Sequence, residues 1–358
     1  MKKRTFAIEV ISICLVIGGF VANKFKIIDS KQNTNSNISN NQSLEVYFID
    51  VGQGDSTLII DEDEAMLIDG GLPSASQKIY SFLEQKNIKH LKYIVASHAH
   101  NDHVGGLSAA LEQSSCDEIL VPYLESDNER FQSLLTKANE KDVSIIQTKD
   151  GETYSLKNAE IKILGPTDII DNEDNNNSLV FRLDYKNVSF LFTGDAEQME
   201  EQLLLYNHYE DLDVDVLKVG HHGSHNAASS AWMKAVDPQY AVISCGKDNS
   251  YGHPHEETLQ LLKQQGTTIY RTDLQGTIHC STDGYKITFE TEKELNAVQT
   301  NSNDAEMKGY VLNTSSKKFH LLSCDSVETI SDKNKLISDK SREELIEEGY
   351  TPCGKCNP

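Results

Sequence analysis

Four side chains able to bind a transition metal crowd into six residues of the segment SHAHNDHVGG (Ser97–Gly106): His98, His100, Asp102 and His103. Imidazole and carboxylate are the donors that suit Zn, Mn or Fe. So many of them in one short loop cost stability unless something holds them together. In an extended chain, residues two apart point to the same side, so His98 and His100 converge on one ion. Asp102 and His103 come where the chain turns toward the run GLSAALEQ, and they face a second position beside the first.

Further acids and histidines stand where apolar, strand-like runs end. Asp69 closes MLIDGG, Asp195 closes FLFTGD, and His221 and His222 follow VLKVG. Layered α/β folds build their sites at the C-terminal ends of strands, so these residues are expected in one pocket with the histidine loop. Asp195 can in addition cap the helix AEQMEEQL, and Asp69 can act as a turn residue before its glycines. Lys218 and Lys247 offer positive charge nearby.

A second cluster closes the chain. FHLLSC supplies His320 and Cys324, and TPCGKC supplies Cys353 and Cys356. Cys-x-x-Cys after a proline turn forms a knuckle whose thiolates face one ion. With His320 and Cys324 it gives the three-sulfur, one-nitrogen set of structural zinc. A module of about fifty residues needs such a staple. The competing reading is a Cys353–Cys356 disulfide, which an oxidising exterior favours. Between the two motifs, Ser341 and Glu344 suit a capping box ahead of a short helix.

The elements that must carry these residues follow from periodicity. QKIYSFLEQKN places Ile79, Phe82 and Leu83 at helical spacing and leads into the strand LKYIVAS. VSFLFTGD, AEQMEEQLLLY and VDVLKVG repeat the order strand, helix, strand. LEVYFIDVGQGDSTLII gives two strands broken at a Gly-Gln-Gly turn. The alternation predicts an α/β layered fold over residues 44–292. A polar stretch at 293–306 separates it from a module at 307–358 that opens on the strand YVLN. Residues 1–26 put Lys and Arg ahead of an apolar run, as in a signal peptide or a membrane anchor with its basic end inside. Residues 27–43 are rich in Asn and Ser and read as a disordered linker. The protein is thus expected outside the cell or at its surface, secreted or anchored by its N-terminus.

A chain of 358 residues with 38% hydrophobic and 25% charged content suits a soluble globular body, not a multi-spanning membrane protein. The net charge of -22 excludes a chain that grips nucleic acid by its overall charge. Phosphate chemistry here would depend on local cations, above all metal ions. Seven scattered cysteines do not form a disulfide framework.

With these residues in this order, the chain resembles the metallo-β-lactamase superfamily from Leu44 to Glu290. FTGDAE, LKVGHHGS and NSYGHP together look like its ComEC-type competence branch. The resemblance implies an αββα sandwich with two divalent ions, Zn or Mn, at one edge. It implies that His98 and His100 hold one ion, that Asp102, His103 and His221 hold the other, and that Asp195 bridges them. The superfamily usually supplies one more histidine between the loop and the GD aspartate. None occurs between His103 and Asp195, and NNNSLV (Asn175–Val180) takes that place, as in the ComEC-like branch. The His98–His100 ion is then one protein ligand short, with Asn177, Ser178 or water left to complete it. Residues 308–358 resemble the metal-binding domain of the Ada repair protein in its short, appended form. His320 stands where Ada has cysteine, so the resemblance implies a zinc module that touches nucleic acid or docks on a partner, without methyl transfer.

These expectations combine into an exported, metal-dependent hydrolase that cleaves phosphodiesters, with DNA as its first candidate substrate. Two ions can ionise a bound water and steady both the attacking and the leaving oxygen. Asp102 would orient the hydroxide, and Asp69 would fix a histidine tautomer through its spare ring nitrogen. His253, in NSYGHP, would contact the phosphate or protonate the leaving group. His222 and Ser224 are neighbours of the site. One alternative is a phosphodiesterase of wall polymers such as teichoic acid, and another is a non-catalytic DNA-binding component of a DNA-uptake system. Cleavage of β-lactams is not expected. The partners are a phosphodiester polymer and, through the N-terminal segment, the membrane; no obligate protein partner is indicated.

Overall fold

The computed structural model describes residues 43–170, 174–293, 310–321, 324–327, 329–338, 340, 345–346, 348–353 and 355–356. The expected signal or anchor, both linkers apart from one residue each, and the Ser341–Glu344 capping box lie outside these residues.

The first half alternates strands and helices. It runs β1 (Leu44–Phe48), β2 (Thr57–Asp61), β3 (Glu64–Ile68), α1 (Ser76–Gln85), β4 (His90–Val95), α2 (Asn101–Val104), α3 (Leu107–Gln113), β5 (Ser115–Val121), α4 (Glu129–Glu140) and β6 (Ser144–Gln147). The second half runs β7 (Thr153–Ser155), β8 (Glu160–Gly165), β9 (Val180–Tyr185), β10 (Val188–Phe192), α5 (Gln198–Asn207), β11 (Val216–Lys218), α6 (Ser230–Val236), β12 (Tyr240–Ile243), α7 (Glu256–Gln264), β13 (Thr268–Arg271) and α8 (Thr272–Gln275). The chain then returns to the first half through β14 (Ile278–Thr282) and β15 (Ile287–Thr291). The result is two sheets, ordered β15-β14-β1-β2-β3-β4-β5-β6 and β13-β12-β11-β10-β9-β8-β7.

Side-chain alternation sorts these strands into layers. In β1, Leu44, Val46 and Phe48 enter the core between the sheets, while Tyr47 turns to the helix side. In β3, Met66 and Ile68 face the other sheet, and Ala65 and Leu67 face the helices. The opposite sheet answers with Phe181 and Leu183 of β9 and Phe190 and Phe192 of β10, where Phe48 stacks on Phe192 at 6.3 Å between ring centroids. Helices cover both outer faces: α1, α3 and α4 bury Ile79, Leu107 and Phe131 on one sheet, and α5, α6 and α7 bury Leu204, Trp232 and Leu262 on the other. This is the expected αββα sandwich. Helix α1 begins and ends where Ile79 and Leu83 require, and both are buried.

The C-terminal residues form a separate small sheet, β18-β16-β17-β19, from β16 (Tyr310–Asn313), β17 (Lys318–Leu321), β18 (Lys335–Ser338) and β19 (Thr351–Pro352). Among its described residues, Leu312, Phe319, Leu345 and Tyr350 form a buried apolar cluster. For a module of this size a bound ion is the kind of staple that supplements the core.

Candidate metal centre

The histidine loop leaves the C-terminal end of β4, and Asp69 stands at the end of the neighbouring parallel strand β3. Asp69 ties the two together: its carboxylate accepts from the Ser97 N–H (2.8 Å) and the Ser97 hydroxyl (2.7 Å), and its Oδ2 lies 2.8 Å from Nδ1 of His103. That contact fixes the proton of His103 on Nδ1 and leaves Nε2 free to face the site. His98 is fully buried, and its Nε2 lies 3.0 Å from Nδ1 of His100, as the spacing of two predicts. His100 is more open, and its Nε2 is 3.6 Å from Asp174.

The GD turn after β10 delivers Asp195 to the middle of this group. His103 Nε2 lies 3.2 Å from Asp195 Oδ1, and His222 Nε2 lies 3.5 Å and His98 Nε2 4.0 Å from Asp195 Oδ2. His222 Nε2 is also 3.3 Å from Asp102 Oδ2. Several sets of ligand atoms are mutually close, among them His98, His103 and Asp195, and Asp102, His103 and His222. Asp195 faces the histidines of both.

The two histidines of HHGS diverge. Both occupy the left-handed region, with φ 47° at His221 and φ 55° at His222. His222 turns into the site, where Asp55 Oδ1 (3.1 Å) and the Ser244 carbonyl (3.0 Å) accept from its Nδ1. His221, expected from the resemblance as a ligand, instead places Nδ1 2.9 Å from Glu197 Oε1, with Nε2 3.8 Å from Asp195 Oδ2. It stands beside the cluster, and His222 stands within it.

Asn177 and Ser178, expected near the ion of His98 and His100, are engaged elsewhere. Asn177 uses both amide atoms on Ile170, accepting from its N–H and donating to its carbonyl, each at 2.7 Å. Ser178 Oγ accepts from the Asp195 N–H at 3.0 Å, so it holds that residue by its backbone. Nor does Asp195 cap α5: Glu197 occupies that position, and Asn176 Oδ1 accepts from the Glu197 and Glu200 N–H groups, each at 3.2 Å.

Sequence reasoning passed over Asp55, Glu197 and Asp174. The signal for Asp55 was present in VGQGDS, a second carboxylate after a glycine turn, but its partner His222 lies 167 residues away. Lys218 turns inward and sits 2.6 Å from Asp55 Oδ2, whereas Lys247 is exposed on the surface.

The buried charges of the site are strongly coupled in one sense. Burial alone would raise Asp195, but His103 and His222 beside it hold its carboxyl well below the usual range. Burial likewise favours neutral His222, yet the Asp195 and Asp55 carboxylates push it up to about 10. His103 is raised well above its ordinary value against burial by Asp195 and Asp69. His98 is driven far down by burial and by the charge on His103. The acidic groups thus demand cations at the centre, and protons on two histidines meet that demand. Divalent ions would meet it better while freeing the imidazoles as ligands.

A direct test of fit comes from unpartnered atoms. Buried His103 Nε2, Asp195 Oδ1 and His222 Nε2 make no well-aligned hydrogen bond, although His103 Nε2 and His222 Nε2 lie 3.2 and 3.5 Å from the Asp195 carboxylate. Their convergence fits ligands of a shared ion. The same test succeeds at the C-terminus, where the donor atoms of His320, Cys324, Cys353 and Cys356 lie within 4.8 Å of one another and buried His320 Nδ1 has no partner. No disulfide joins Cys353 and Cys356 in the structure.

A cleft of about 660 Å³ opens onto Asp102, Asp195 and His222. Its rim is rich in amides, including Asn101, Asn128, Asn175 and Asn249, and its described lining holds no lysine or arginine. His253 lines it too, its ring 5.4 Å from that of His221, with Tyr251 stacked on it at 5.6 Å. Burial, then the charges of His222 and His221, push His253 down to about 4, so it is neutral at neutral pH.

Comparison with known proteins agrees with this geometry. Residues 49–247, more than half of the chain, match the Metallo-beta-lactamase superfamily. ComE operon protein 3 of Bacillus subtilis is 33% identical over 252 residues, covering 65% of this chain and 32% of that protein. Recombination protein 2 of Haemophilus influenzae is 29% identical over 65% of this chain and 28% of its own length. Competence protein ComA of Neisseria gonorrhoeae is 29% identical over 64% of this chain and 31% of its own. The chain therefore spans about a third of the length of the curated relatives it matches. Among the described residues, no helix is long and apolar enough to cross a membrane.

Proposed function

Because the chain belongs to the metallo-β-lactamase superfamily, we propose that it is a metal-dependent phosphodiesterase, exported or anchored at the cell surface, whose substrate is DNA. The observation that carries this reading is the convergence of buried His103 Nε2, His222 Nε2 and the Asp195 carboxylate on one point, with a carboxylate behind each of the two histidines. The sequence likeness to competence proteins points to DNA among phosphodiesters.

In this reading His98 and Asp195 would hold one ion, with His100 beside His98, and Asp102, His103 and His222 would hold the other. When bound, two divalent ions supply a nucleophilic water near neutral pH and offset the charge of the phosphate. The chain's own residues do the rest. Asp69 and Asp55 keep the ring protons of His103 and His222 on Nδ1, so that both Nε2 atoms face inward. His253, held neutral, donates a hydrogen bond to a phosphate oxygen rather than a proton to the leaving group. Proton delivery falls to His221, which lines the cleft with its Nδ1 2.9 Å from Glu197 Oε1. With no lysine or arginine in the described lining, neutralisation of the phosphate depends on the metals. The amide rim suits hydrogen bonding to sugar and base.

The test offers manganese-loaded protein three substrates: single-stranded DNA, a polyol-phosphate wall polymer and a chromogenic diester. Cleavage of DNA and of the diester, with the polymer intact, is expected. Polymer cleavage without DNA cleavage would move the substrate to the cell wall. DNA binding with no diester cleaved would make the protein a binding component instead.

A further inference from the structure

Behind the cluster lies a buried ion pair whose cation the chemistry above does not use. Lys218 ends β11 with only 3% of its side chain exposed, following the apolar Val216 and Leu217. Its Nζ sits 2.6 Å from Asp55 Oδ2 and donates to the Val219 carbonyl at 3.0 Å. The other oxygen of Asp55 accepts from His222 Nδ1 at 3.1 Å. The three groups form one line, ammonium to carboxylate to imidazole, which ends at the His222 Nε2 facing Asp102 and Asp195.

Two considerations make this line more than structural filling. A buried lysine is costly even when paired, and an aliphatic side chain at the end of β11 would serve the core better. The backbone that aims His222 is also unfavourable, since two successive non-glycine residues adopt positive φ. Such strain persists only where the surroundings over-determine it. The partner half of the site is built otherwise: behind His103 stands Asp69, held by the N–H and hydroxyl of Ser97. A cation therefore backs one histidine and a serine backs the other.

We propose that Lys218 is a positioning residue which, by locking Asp55, fixes the ring of His222 and sets the affinity of the metal position made by Asp102, His103 and His222. The position beside His98 and His100 is reached from it only through the shared Asp195, and is expected to change far less. This inference rests on the two-metal reading of the site.

The test titrates Mn(II) into the full-length chain, zinc-loaded at the C-terminal cluster and otherwise metal-free, while the resonance of free Mn(II) counts the bound ions. Wild-type protein is expected to show two sites. Lys218→Met should weaken one of them about 10–100-fold and leave the other within about threefold. Adding Asp55→Asn to Lys218→Met should cost little more, because both act through one line. Equal weakening of both sites, or of neither, would overturn the proposal while leaving the two-metal reading intact. A wild-type protein that binds no Mn(II) would overturn the reading and the proposal together. Should Lys218→Met fail to fold, Asp55→Asn alone carries the same test, with selective loss of one site expected and unselective or no loss contradicting it.

Discussion

Two adjacent histidines with left-handed backbones send their rings to different partners, His221 to Glu197 and His222 to Asp55 and Asp195. Their removal should therefore have different consequences. His222→Ala is expected to lose one bound ion and at least about 10²-fold in turnover. His221→Ala should keep both ions, counted by elemental analysis, and lose about 10²-fold in kcat with little change in KM. Glu197→Gln should behave like His221→Ala, because its contact is with that ring alone among the site histidines. The residue types and order of His98, His100, Asp102, His103 and Asp195 were legible in the sequence, since close spacing confines a loop to one place. The choice between His221 and His222 was not. It depends on the sign of φ at two successive residues, which side-chain chemistry does not reveal. Asp55 was illegible for another reason: its role exists only once two halves of the chain, 167 residues apart, are brought together.

At the scale of elements, the turn between β1 and β2 acts as a clamp on the histidine loop. Gly54 has φ +126°, and a Cβ there would fall 2.2 Å from the Asp102 carbonyl oxygen. The Asp55 N–H donates to that same carbonyl at 3.1 Å. Gly54→Ala should thus cost about 2–4 kcal/mol in denaturant unfolding and weaken metal binding through Asp102. Helix α5 carries a pH dependence. Glu200 and Glu201 are buried on it, and burial lifts both carboxyls from 4.5 to about 7. The folded form then keeps protons that the unfolded chain has lost. Their contribution is full below pH 4.5 and falls as pH rises through 7. Glu200→Gln should raise thermal stability at pH 8, by on the order of 2 kcal/mol, and leave it unchanged near pH 4. The helix itself was evident from its run of glutamates and leucines. Its start was displaced from Asp195 to Glu197, because the metal cluster claims the carboxylate that would otherwise cap it.

At the scale of the whole molecule, the described sandwich and C-terminal sheet differ in self-sufficiency. The sandwich has three extended apolar clusters, whereas the C-terminal sheet has one small buried cluster among its described residues and a His/Cys set. Chelation should accordingly leave the sandwich folded by circular dichroism while Cys324, Cys353 and Cys356 become reactive to a thiol reagent. The layered fold could be read from strand and helix alternation because each strand separates its two faces residue by residue. The pairing of β14 with β1 could not, as it joins residues more than 200 positions apart. With a formal charge of -22, the molecule has no long-range attraction for a polyanion. On the proposed reading, action on a phosphodiester would depend on metal ions held at the cluster. The most direct measurement is the metal content of the purified chain, with turnover of a chromogenic diester, for wild type and Asp102→Ala. The account predicts close to three ions per chain and turnover in the wild type, and fewer ions with no turnover in the variant. A wild type with all three ions bound and no turnover, or with one ion confined to the cysteines, would contradict it.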